Sequence, residues 1–204
     1  MRPVLAAFLF LAVALTVRAQ TPVLRIRVLD YAEVPPATLN SFPPPAREVF
    51  RQTGIATEWP TCRIQSRQGD CGPIADSDVY VKIVPKPAPG GKTKFGTTVR
   101  QGKRSLFSYV FWTRIEQAAR HYGVAPSLLL AEVIAHETGH LLGLEHASNG
   151  IMQCEFGAPE ILRAGQGNLR FSREEAAALR DALTPRLAQA PLDETPESRR
   201  RTDR

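Results

Sequence analysis

Only three cysteines, two methionines and four histidines occur in the 204-residue chain, and aromatic side chains make up 7% of it. Three cysteines allow one disulfide and one leftover thiol. Without a Cys-x-x-Cys pair among them, neither a thiol redox site nor a zinc ribbon is indicated. Past the N-terminus no apolar run reaches the ~20 residues that a membrane span needs, so a polytopic membrane protein is excluded. Internal repeats are absent, and no nucleic-acid recognition motif accompanies the net charge of +6, so nucleic acid is not an expected partner. With 43% hydrophobic and 23% charged residues, the composition is that of an ordinary globular domain and not of a disordered chain.

What is present begins with the apolar run from Val4 to Val17, which follows Arg2 and ends in Val17-Arg18-Ala19. That order fits a secretory signal peptide over residues 1–19 with cleavage after Ala19, and the run is short for a membrane anchor. The mature chain is therefore expected outside the cytoplasm, extracellular or periplasmic, with no membrane association once the signal is removed. Such a compartment is oxidising. Cys62 and Cys71 enclose a polar stretch that reads as a surface loop, and they are the expected disulfide, with Cys154 left over.

Alternation of apolar and basic residues over 23–29 predicts a strand with one face buried. Prolines at 35, 36, 43, 44 and 45 are expected to break the chain before a short helix over 46–53 that Gly54 stops. Further strands are predicted over 55–59, 78–84, 95–100 and 105–112, the last of which reads equally as the start of the following helix. Between the last two pairs, residues 86–104 carry six basic side chains and no acid. That stretch reads as a solvated loop and hairpin, or as a basic rim that attracts an acidic substrate or surface. The second half is helical: 113–121 has helical spacing, 128–142 is apolar around most of its circumference, and Ser172 with Glu175 makes a capping box for a helix to about Leu183. Beyond Thr184 the charges are dense and apolar residues few, so 184–204 is expected to be a disordered charged tail.

Three of the four histidines fall within eleven residues, His136, His140 and His146, with Glu137 beside the first. Four residues apart on a helix, His136 and His140 leave one face about a turn apart, close enough to bind one ion. Glu137 projects to the same side but off the ligand row, so it acts on water at the ion and does not ligate. His146 could not reach that ion on a continuing helix. Gly143, tolerant of positive φ, lets the helix stop and the chain double back. A lone histidine would read as a hydrogen-bonded core residue; the full His-Glu-x-x-His-x-x-Gly-x-x-His run on a buried helix reads as zinc. His121 reads as an ordinary helix-end residue, and Glu132 as a solvated or hydrogen-bonded helix residue.

The run from His136 to His146 resembles the zinc signature of the metzincin metallopeptidases, and Gly139 with Leu142-Gly143-Leu144 is most similar to their matrixin branch. Gly150-Ile151-Met152 resembles the family's Met-turn, in which a methionine forms an apolar floor under the zinc histidines. Residues 171–175 resemble the opening of its closing C-terminal helix. The resemblance implies an α+β fold, a twisted mixed sheet packed on an active-site helix, followed by a small C-terminal subdomain that ends in a helix. It implies an edge strand within 93–112 and a specificity wall within 153–171. The connection from His146 to Met152 is tight for a matrixin, no cysteine-switch motif precedes the domain, and neither the histidines for a second zinc nor a calcium loop can be assembled. Cys154, two residues after Met152, is expected to be buried beneath the metal.

The expected protein is a secreted, monomeric zinc endopeptidase with its catalytic domain over 20–183. It would hold one Zn²⁺ on His136, His140 and His146, use Glu137 as general base and acid, and take a peptide or protein substrate. Two rivals are a zinc amidase acting on cell-wall peptides or other small substrates, and a non-catalytic secreted zinc-binding module. A carboxylate beside the ligands has no purpose in the second.

Overall fold

The computed structural model describes residues 23–64, 78–86, 94–101 and 104–188. The expected signal peptide, Cys71 and most of the tail lie outside them. Alternation in the first segment yields β1 (Val23–Asp30), whose Leu24, Ile26 and Val28 are fully buried. The other face is not wholly solvated, as the basic alternation predicts. Arg27 is 2% exposed and pairs with Asp78, itself buried, so this guanidinium is neutralised inside the protein and not by water.

The prolines start helices instead of merely interrupting the chain. Pro36 and Pro43 each take a first-turn position, where a missing N–H is harmless and φ is already helical, giving α1 (Pro36–Ser41) and α2 (Pro43–Arg51). The buried face of α2 is Ala46, Val49 and Phe50, at helical spacing. Then follow β2 (Ala56–Glu58), β3 (Thr61–Arg63), β4 (Val79–Val84), β5 (Gly96–Gln101) and β6 (Arg104–Phe111).

These form one mixed sheet in the order β2-β1-β4-β6-β5, with β3 also pairing β1. All pairs are parallel except β5 with β6, so β5 is an antiparallel edge. Only two residues of sequence separate β5 from β6, a connection short enough for an antiparallel pair, whereas parallel neighbours need long crossovers. α3 (Trp112–Tyr122) leads directly from β6 and ends at Gly123 in the left-handed region. α4 (Pro126–Leu141) then lies against the inner face of the sheet, packed between α2, α3, β5 and β6.

A helix over 158–165 carries no strong sequence signal and is not among the expected elements; α5 (Ala158–Gly165) is nonetheless formed, opened by Pro159 and by Glu160 accepting from the Gly157 N–H. The closing α6 (Arg173–Ala188) has the expected capping box: the Glu175 N–H donates to Ser172 Oγ at 3.1 Å and the Ser172 N–H to Glu175 Oε2 at 2.7 Å. It runs past Leu183 to Ala188, so 184–188 are helical and not a disordered tail. The architecture is thus α+β, a mixed sheet covered by α4 with a helical C-terminal part.

Candidate metal centre

Every residue of α4 from Leu129 to Leu141 is buried, which makes its few polar side chains costly unless they have partners. The helix stops as Gly143 predicts. Gly143 has φ 97°, the Leu144 N–H donates to Gly139 O at 2.9 Å, and the Gly143 N–H donates to His140 O at 3.1 Å. This pair of bonds is a Schellman closure, and it turns the following residues back under the helix. His146 is thereby brought beside His136 and His140.

The three imidazoles converge on one point. His140 Nε2 lies 3.1 Å from His136 Nε2 and 3.1 Å from His146 Nε2, and one nitrogen from each ring lies within 4.8 Å of the others. The remaining nitrogens explain the aim. His136 Nδ1 donates to Ile151 O at 2.6 Å and His140 Nδ1 to Leu144 O at 2.8 Å. A carbonyl only accepts, so both rings carry their proton on Nδ1, and both Nε2 lone pairs face each other. Two lone pairs at that separation repel unless a cation lies between them. Zinc bonds of about 2.0–2.1 Å in a tetrahedron put ligand nitrogens roughly 3.3 Å apart, so the arrangement fits Zn²⁺. Burial pushes His136 down to about 4 and lowers His140 as well, which keeps both imidazoles neutral and able to ligate at neutral pH.

The Met152 side chain packs against α4 at Gly139. It is fully buried, and its thioether lies so close to Gly139 that a Cβ there would stand 2.6 Å from Sδ. Gly139, one turn after His136, is therefore what allows Met152 to reach the helix. The loop carrying His146 is further held from the sheet side, where Arg100 on β5 donates to Glu145 Oε1 at 2.7 Å.

Glu137 is 4% exposed, and burial pushes its carboxyl up to about 7, against Thr98, whose hydroxyl donates to Oε2 at 2.8 Å, and Lys94. It lines a cleft of about 260 Å³ together with the three histidines, Val133, Phe95 and Phe156. Phe156 stands edge-on to His136 at 5.6 Å and faces Phe95 across 6.4 Å, giving the cleft an apolar wall.

Two expectations are corrected. Cys154 is exposed and free and lines the mouth of the cleft, because the chain turns outward after Met152 instead of continuing beneath the metal position. Glu132 is neither solvated nor fully hydrogen-bonded. It is 1% exposed, its Oε2 has no partner among the described residues, and burial pushes it up to about 8 against the field of Arg170. Cys62 is disulfide-bonded; position 71 falls outside the described residues. His121 sits on α3 away from the cleft, as a helix-end residue would. Sequence reasoning misses Thr98, Gly96, Arg100 and Phe156. Alternation in β5 marks which residues face inward, but nothing in it says that they face Glu137, about 40 residues later.

No protein-family model matches the chain, and no curated protein matches it in sequence. Solved structures do match it in fold. One is the archaemetzincin of Methanopyrus kandleri, at 15% identity and a TM-score of 0.54 over 82% of this chain and 98% of that one. The chain has an archaemetzincin-like fold. A zinc-dependent peptidase of Methanocorpusculum labreanum aligns at 18% identity and a TM-score of 0.50, over 76% of this chain and 99% of that one. Among the described residues no helix is long and apolar enough to cross a membrane.

Proposed function

We propose that the protein is a zinc-dependent endopeptidase, with a matrixin-like signature carried on an archaemetzincin-like fold. The observation that carries the reading is Glu137: a buried carboxylate beside three converging imidazoles, opening on the same cleft. A structural metal site has no use for it. His136, His140 and His146 would hold one Zn²⁺, leaving a position open for water or substrate. Bound there, the ion supplies Lewis acidity, acidifying water and polarising a carbonyl.

The chain's own residues do the rest. Glu137 takes the proton of the attacking water and passes it to the amine that leaves when the peptide C–N bond breaks. β5, the edge strand among the described residues, borders the cleft and offers main-chain groups to an extended peptide, which supports strand addition and an endopeptidase reading. Phe95, Val133 and Phe156 give an apolar surface beside it for one substrate side chain. The N-terminal pattern of residues 1–19 supports export, with a soluble monomer acting on peptides or proteins outside the cytoplasm.

The test is Glu137→Gln in the full chain, comparing zinc content, melting and cleavage of a mixed peptide library read by mass spectrometry. Zinc and fold are expected to persist while cleavage falls ~10²–10⁴-fold or more, since one carboxylate serves two proton transfers. Equal cleavage by both proteins overturns the assignment of Glu137, and cleavage of non-peptide amides alone would favour the amidase reading.

A further inference from the structure

The two oxygens of Glu137 are not equivalent. Oε2 accepts from Thr98 Oγ1 at 2.8 Å, and Thr98 in turn lies 2.7 Å from Ser108 Oγ on β6. Both hydroxyls also approach the main-chain oxygen of Glu137, at 3.4 and 3.3 Å. Oε1 takes no hydrogen bond from the described residues and lies over Gly96, where a Cβ would stand 2.5 Å from it. Proton counting gives the network a direction. With Glu137 ionised, the form in which it works as a base, its carboxylate only accepts and a hydroxyl has one proton, so Thr98 gives its proton to Oε2, and Ser108 completes the row by donating to Thr98 Oγ1. Ser108 is fully buried and Thr98 half-buried, so water does not compete freely with the row.

We propose that Thr98, backed by Ser108, is a positioning residue for Glu137: it pins Oε2 to the edge strand and leaves Oε1, over the gap at Gly96, as the oxygen that meets the attacking water. The role rests on the hydrolase reading above. It also gives β5 a second task, because the strand expected to hold the peptide backbone also sets the angle of the base that works on it. Hydrolysis is sensitive to such placement, and an error near 1 Å can cost ~10²-fold.

Thr98→Val keeps the shape and removes the donor; Thr98→Ser restores a donor. In the full-length zinc protein, Thr98→Val is expected to lower kcat roughly 10–100-fold with KM within about twofold and zinc affinity unchanged, and Thr98→Ser to recover most of kcat. A second measurement is independent of activity. In zinc-free protein, Thr98→Val should lower the melting midpoint by roughly 3–8 °C in the parent, and by far less in a Glu137→Ala background, where the acceptor is gone. Equal melting losses in the two backgrounds, or an unchanged kcat in an active Thr98→Val protein, overturn the positioning role alone. A parent that binds zinc and cleaves no peptide overturns the hydrolase reading, and the role with it.

Discussion

His146 is the exposed member of the three converging histidines, and it hangs from a loop, whereas His136 and His140 are fixed by the buried helix. Its removal leaves two imidazoles and a site open on two sides. His146→Ala is expected to weaken zinc by more than the roughly 10–100-fold typical of losing a supporting hydrogen bond, measured by competition with a chelator. Unchanged affinity would dissolve the three-histidine centre. Glu132, one turn before His136, gives a different kind of prediction. Its folded pKa, about 8, lies above the ordinary carboxyl value, so the folded protein keeps a proton that the unfolded chain releases. Its contribution is therefore present below about pH 4.5 and is lost as pH rises toward 8, at up to roughly 1.4 kcal/mol per pH unit. Denaturant midpoints of the zinc-free protein and of Glu132→Gln should diverge across that window, with the variant gaining relative stability at the alkaline end. A constant difference between pH 5 and 8 would mean that Glu132 stays charged. The histidines and Glu137 are legible in sequence because their spacing is local. The partners that aim them, Ile151 O, Leu144 O and Thr98, are not, because two are main-chain groups and the third comes from another strand.

At the scale of elements, α4 is readable because it is apolar all round and bounded by Pro126 and Gly143. The turn at Gly143 is also its weak point. A side chain at φ 97° is strained by about 1–2 kcal/mol, so Gly143→Ala should lower the stability of the zinc-free protein by about that amount. Because the same turn delivers His146, zinc affinity should fall with it; a chelator titration showing loss of stability without loss of affinity would separate turn from ligand. Other elements show where local signals stop. The prolines at 36 and 43 read as breakers, yet a proline is compatible with a helix's first turn, and only the packing of Leu39 in α1 and of Ala46, Val49 and Phe50 in α2 decides which role each takes. α5 is hidden for a related reason: eight residues with Ile161 and Ala164 buried hold together by leaning on α3 and α4, not by their own propensity. The parallel partners of β1 were equally unreadable, since alternation fixes a strand's faces and says nothing of its neighbours.

For the molecule as a whole, the ion would join the sheet-bound helix to the returning loop and bind only when both are in place. At a thousandfold excess over Kd such binding adds about 4 kcal/mol, which for a chain of this size raises the midpoint by roughly 8–16 °C. Calorimetry with and without a chelator measures it, and coincident transitions would mean that the site is not filled. The sheet carries another consequence. β1 is bonded along one edge to β4 and along the other to β2 and then β3, so its eight residues are shared by three strands. Its partner in β4 begins about 50 residues further on, and β4 in turn waits for β6. β1 is therefore made before any of its partners, and its bonds to β4 close only after about 50 further residues have followed it. At ~5–20 residues per second it emerges seconds ahead of β2, the earliest of the described strands that can hold it, so for that interval the nascent chain carries an unpaired ribbon with one apolar face.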